Sequence, residues 1–230
     1  MSAEYQDITA QLLEAALSHV PFDGWSEATV RAAIAETGFD PTLAKAVFPR
    51  GGVDLALAYH TAGDAEMLDA LKATDLSALR FRDRIAAAIR FRVNAIKDKE
   101  VLRRSSALLS LPHHAADGVK AIWGTADKIW TALGDTSEDV NWYTKRATVS
   151  GVYASTTLYW LGDESAEYEA TWAFLDRRID DAMQIEKVKA QVRESRFLSQ
   201  LMAGPNWLLS GIKAPIRTPD LPGYWDQQSS

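Results

Sequence analysis

Apolar residues recur at spacings of three and four along almost the whole of this 230-residue chain, and no segment alternates with a period of two. The clearest instance is Val119, Ile122, Trp123, Ala126, Ile129, Trp130 and Leu133, which fall on one side of a helix. A chain patterned this way buries its apolar side chains by packing helix on helix. The expected fold is therefore all-α.

Turn residues divide the pattern. A first helix is expected from Ala3 to Val20, with Ile8, Leu12, Leu13, Ala16 and Leu17 on one stripe, broken by Pro21-Phe22-Asp23-Gly24. Ser26 has the character of an N-cap, with Trp25 and Val30 placed as a hydrophobic staple, and that helix should end near Thr37-Gly38. Asp40-Pro41 opens a short helix to Phe48. Further helices are expected over 53–73, 80–97, 99–110, 139–161 and 165–184. The 139–161 segment is apolar nearly all round, which suits a central position. In 165–184, Tyr168, Trp172, Leu175, Ile179 and Met183 should point inward. Outside, Asp176 and Asp180 should repel, while Arg177 and Asp181 should attract. The total is about nine or ten helices. They divide into a helix-turn-helix-like unit at 1–52, a bundle at 53–184 and a tail at 185–230. This order resembles TetR-type regulators, in which a helix-turn-helix precedes a ligand-binding bundle that dimerises.

Charge argues against nucleic acid. Residues 1–50 hold three basic and seven acidic side chains, a net of −4, and the helix at Pro41–Phe48 offers only Lys45. Phosphate neutralisation needs the opposite sign. Residues 80–104 carry a net of +6 and residues 185–217 a net of +4. These zones fit either anionic partners or solvated helix faces. With no cysteine, thiolate chemistry is excluded. His19, His60, His113 and His114 form no helical ligand pair, and no nucleophile elbow, phosphate loop or dinucleotide fingerprint occurs. Neither catalysis, a metal nor a cofactor is expected. No apolar stretch approaches the ~20 residues that span a bilayer. The acidic start is unlike a targeting leader.

Three features remain. The run from Gly134 to Arg146 is a cap-rich turn opening into a helix led by Trp142 and Tyr143. Neighbours in a helix point about 100° apart, so both cannot face one core. Five tryptophans lie between residues 123 and 172, mixed with small residues, which suits either a filled core or a cavity for an apolar ligand. The candidate lining residues are Trp123, Trp130, Val149, Val152, Tyr153, Thr156 and Trp160. Finally, Ile185, Val188, Val192, Leu198, Leu201 and Met202 make an approximate apolar stripe flanked by Lys187, Lys189, Arg193 and Arg196, with Trp207 beyond. Such a segment suits a membrane interface, or a last helix docked on protein.

The stretches His19–Ser26, Phe48–Leu55, Asp127–Trp130, Gly134–Arg146 and Trp172–Ile179 together resemble the coenzyme Q (ubiquinone) biosynthesis accessory family, the ninth coenzyme Q protein. The resemblance implies a TetR-like fold without DNA binding, often dimeric, and a cavity for isoprenoid lipid or phospholipid. It also implies an amphipathic membrane helix and support for a di-iron quinone hydroxylase. That enzyme would dock on Asp127, Ile129, Asn141, Trp142 and Tyr143, with Val140 a mild departure from the family's pattern. The implied chain is a cytoplasmic bacterial member, peripheral to the inner membrane. Two other readings are a TetR-type regulator with a lipophilic effector and a helical adaptor with a filled core.

Overall fold

A computed structural model describes residues 3–194 and 213–215, with side chains at 5–184 and 213–215. The N-terminal unit contains α1 (Ala3–Leu17), α2 (Val20–Asp23), α3 (Glu27–Thr37) and α4 (Pro41–Val47). The bundle contains α5 (Gly52–Ala73), α6 (Phe81–Asn94), α7 (Lys99–Leu109), α8 (Ala115–Ala132), α9 (Val140–Gly162) and α10 (Glu169–Glu194). A single 3₁₀ turn, Ala166–Tyr168, precedes α10. Among the described residues there is no strand.

Local chemistry sets the boundaries. Ser26 caps α3 by accepting from the Thr29 N–H, and Gly38 ends that helix in the left-handed region at φ 69°. Asp40 caps α4 through the Thr42 and Leu43 N–H groups, with Pro41 in the first turn, where its missing N–H costs nothing. The first helix stops at Leu17 rather than Val20, and Val20–Asp23 forms its own short helix that accommodates Pro21.

Two apolar clusters meet on α5. Leu55 and Ala56, near its start, pack with Leu12, Ala16, Trp25 and Val47 of the N-terminal unit. Met67 and Leu71, near its end, pack with Ile89, Ile129, Val149 and Leu175 of the bundle. The helix that begins at the division expected after residue 52 thus serves both cores. Gly52 makes the junction, because a Cβ there would stand 2.0 Å from the Trp25 carbonyl oxygen. The Trp25 Nε1–H donates to Ser105 Oγ at 2.7 Å and fixes the unit to α7.

Within the bundle, α8 packs on α9 and α5, and α10 packs on α9 and α6. The basic zone at 80–104 is paired internally. Arg82 meets Asp180 and Arg90 meets Asp176, so the two aspartates expected to repel each take an arginine from α6. Arg92 pairs with Asp64, Lys97 with Glu66, and Arg103 and Arg104 with Glu100. On α10, Asp181 pairs with Arg178 rather than Arg177.

Three expectations about facing are corrected. Val119 is 67% exposed, because the first turn of α8 turns Gly118 inward instead. Met183 is exposed while Leu175 and Ile179 are buried. The α9 helix is not central. Its inner face is buried, but Leu158 and Tyr159 lie outside, and Tyr159 stacks on Phe174 at 4.5 Å.

An aromatic edge held by a buried arginine

The turn between α8 and α9 is built from its own sequence. Gly134, at φ 81°, ends α8; its N–H bonds to the Thr131 carbonyl and that of Asp135 to the Trp130 carbonyl, the pairing of a Schellman motif. Asp139 then caps α9 by accepting from the Asn141 N–H and side-chain amide. Asp135 turns back into the protein, where its side chain is 2% exposed. It accepts from Lys145 Nζ at 2.7 Å, Arg146 Nη1 at 2.9 Å and Ser137 Oγ at 2.8 Å. Burial pushes its carboxyl up, but the hydrogen bonds from Lys145, Ser137 and Arg146 outweigh that and hold it down at about 2.

Arg146 organises the site. Its side chain is 0% exposed, with Nε donating to Asp127 at 2.6 Å and Nη1 donating to Asp135 and to the Trp142 carbonyl. A buried guanidinium is costly unless paired, and two carboxylates pair it here. One turn earlier on the same face of α9, the Trp142 ring lies 4.0 Å from the guanidinium carbon.

Trp142 and Tyr143 meet edge-to-face at 4.8 Å, and Trp123 of α8 lies 6.0 Å from the first and 6.4 Å from the second. All three are half-buried, so both surplus aromatics share one edge of the bundle. Asn141 is also half-buried at this edge, and Asp127 approaches it through Arg146. Ile129 is wholly buried in the core and offers nothing to a partner, because it lies on the inward stripe of α8.

Of the expected lining residues, Trp123 lies at this edge, its ring beside those of Trp142 and Tyr143. Trp130, Val149, Val152, Tyr153 and Trp160 are packed in the bundle core, with Thr156 fully buried among them. Beside that face runs an open groove of about 320 Å³ between α9 and α10, lined by Ala147, Gly151, Val152, Ser155, Arg178 and Ala182. Only Val152 belongs to both. Of the expected membrane residues, Ile185, Val188 and Val192 lie on the α10 backbone, their side chains outside the described residues. Leu198, Leu201, Met202 and Trp207 lie outside the described residues altogether.

A second charged cluster lies between α5, α6 and α8. Asp64 accepts from Arg92 Nε at 2.7 Å, Lys128 Nζ at 2.7 Å and Thr125 Oγ1 at 2.8 Å. His60 Nε2 lies 2.8 Å from Thr125 Oγ1 and 3.1 Å from the Ala121 carbonyl. Burial, and then the Arg92 charge, push the His60 imidazole down to about 4. Among the described residues no helix is long and apolar enough to cross a membrane, and no group of three His, Asp or Glu side chains could hold a metal ion.

Sequence reading missed Arg146. Its only signal was position, one turn after Trp142 and within reach of two turn aspartates.

Fold and site together define a ten-helix bundle of TetR type, among the described residues, with a built aromatic edge. Among solved structures, the fold is similar to that of a TetR transcriptional regulator from Nitrosomonas europaea: TM-score 0.63, 18% identity, covering 77% of this chain and 99% of that one. At that identity the likeness speaks for the fold alone. The family model COQ9 matches residues 115–186, which contain the whole aromatic edge. The chain is 31% identical over 194 residues to the mitochondrial ubiquinone biosynthesis protein COQ9 of Drosophila melanogaster, covering 82% of this chain and 59% of that protein. To COQ9-A of Xenopus laevis it is 33% identical, covering 77% and 58%, and to human COQ9 28%, covering 83% and 62%. The chain belongs to the COQ9 family. It spans between 58% and 62% of the length of these relatives.

Proposed function

We propose that this chain is a non-catalytic accessory protein of ubiquinone biosynthesis. It binds an isoprenoid quinone precursor or phospholipid and presents it to a quinone hydroxylase docked on the aromatic edge. The observation that carries this reading is the Trp123, Trp142 and Tyr143 cluster, held half-exposed by the buried Arg146. A core has no use for an edge built this way, whereas large aromatics set beside a buried charge are what protein interfaces concentrate.

The lipid part rests on α9. Its buried polar atoms with no hydrogen-bond partner among the described residues include Thr156 Oγ1 and Trp160 Nε1. They stand one turn apart in an otherwise apolar cluster and would serve a ligand oxygen. The groove along Ala147, Gly151 and Val152, on the neighbouring face of the same helix, is proposed as the approach. An isoprenoid tail needs such a host, since moving it through water costs about 0.8 kcal/mol per CH₂. The tail segment 185–230 is proposed as the peripheral membrane contact, and a second copy of the chain is proposed against the outer face of α9 and α10.

Solvent extraction and native mass spectrometry of the purified protein test the lipid reading. Bound isoprenoid or phospholipid is the expected result. A protein recovered free of both, from preparations in membrane-containing lysate, contradicts it.

A further inference from the structure

Lys213–Pro215 lies against the aromatic edge, and it is gripped by one peptide group. The Ala214 N–H donates to the Glu138 carbonyl at 2.9 Å, and Tyr143 Oη donates to the Lys213 carbonyl at 3.3 Å. That carbonyl and that N–H belong to the same peptide unit, held on both sides. Glu138 precedes the Asp139 cap, so its carbonyl has no role in the α9 ladder and is available to an outside backbone. Ala214 is partly buried at the contact, and Pro215 after it favours extended backbone and presents no N–H that would need a partner. Both bonds are made to main chain, so the edge reads an extended backbone with a following proline rather than a side chain.

We propose that Glu138 and Tyr143 form a peptide clamp whose resident occupant is the chain's own Lys213–Pro215, and that a protein docking over Trp142 and Tyr143 must first displace it. The clamp stands on the two hydrogen bonds; the displacement rests on the docking reading above.

The chain has no cysteine, so Glu138→Cys with Ala214→Cys creates a single possible disulfide within these 230 residues. Under mild oxidation the pair should close within one chain about tenfold faster than in denaturant, an effect of holding the two backbones together. Equal rates overturn the clamp. The oxidised chain should then retain the di-iron quinone hydroxylase about tenfold less than the same chain reduced, and Ala214→Pro, which removes the N–H donor, should bind it several-fold better than the parent, roughly the worth of one hydrogen bond. Equal retention by oxidised and reduced chains, when Trp142→Ala abolishes binding, overturns displacement and leaves docking intact. Undiminished binding by Trp142→Ala overturns the docking reading and the displacement with it, while the cross-link alone still decides the clamp.

Discussion

Single titrating groups carry consequences that can be read in stability. His60 is held neutral, with its folded value near 4 against an ordinary 6.5. The unfolded chain therefore binds a proton between those two values that the folded chain refuses. Stability should be full above pH 6.5 and should fall as pH drops toward 4, by about 3 kcal/mol in total. His60→Gln should flatten that part of a denaturation profile; an unchanged slope would contradict the assignment. Asp135 acts lower. Its depressed carboxyl stabilises the turn above the ordinary carboxylate range and loses that effect as pH falls toward 2. Arg146→Ala acts at every pH, because it leaves Asp135 buried with only the Lys145 cation and the Ser137 hydroxyl against it. We expect a loss of about 3 kcal/mol in chemical denaturation, with a change in tryptophan fluorescence as Trp142 loses its cation. A loss below 1 kcal/mol, roughly the worth of an exposed pair, would mean Arg146 is not the organiser.

Helices were largely legible in the residues, and their contacts less so. The 3-and-4 period, the Ser26 and Asp40 caps and Gly38 place α3 and α4 almost to the residue, because each cap acts through bonds to its immediate neighbours. The same period misplaced Val119. It marks a stripe, and a stripe looks alike whether it meets a core, a partner or a cluster of rings. The +6 zone at 80–104 could not be resolved either, since its partners Asp176 and Asp180 lie far along the chain on α10. Arg146 was invisible for a related reason: a helical arginine ordinarily faces water, and only the returning Asp135 shows that this one does not. Close backbone approach was equally hidden. At Gly52 the neighbouring chain leaves no room for a methyl group, so Gly52→Ala should shift the N-terminal unit against α5 and lower the melting temperature by several degrees. A variant that melts with the parent would show that the junction yields.

Across the whole molecule, two surfaces divide the work on this account. One is the outer face of α9 and α10, where Leu158 is 62% exposed, Tyr159 stacks on Phe174, and Met183 is exposed farther along α10. A second copy placed there would cover them, so Leu158→Glu should lower the mass seen by sedimentation to that of a single chain. An unchanged mass would put association elsewhere or nowhere. The other is the aromatic edge, and the proposed function turns on it. The direct measurement is the affinity of the di-iron quinone hydroxylase for the parent chain and for Trp142→Ala and Tyr143→Ala, taken together with each variant's melting temperature. Interface aromatics of this kind carry about 2 kcal/mol or more. The account predicts that both variants stay folded and bind at least about tenfold more weakly. Parent-level affinity in two folded variants would contradict it.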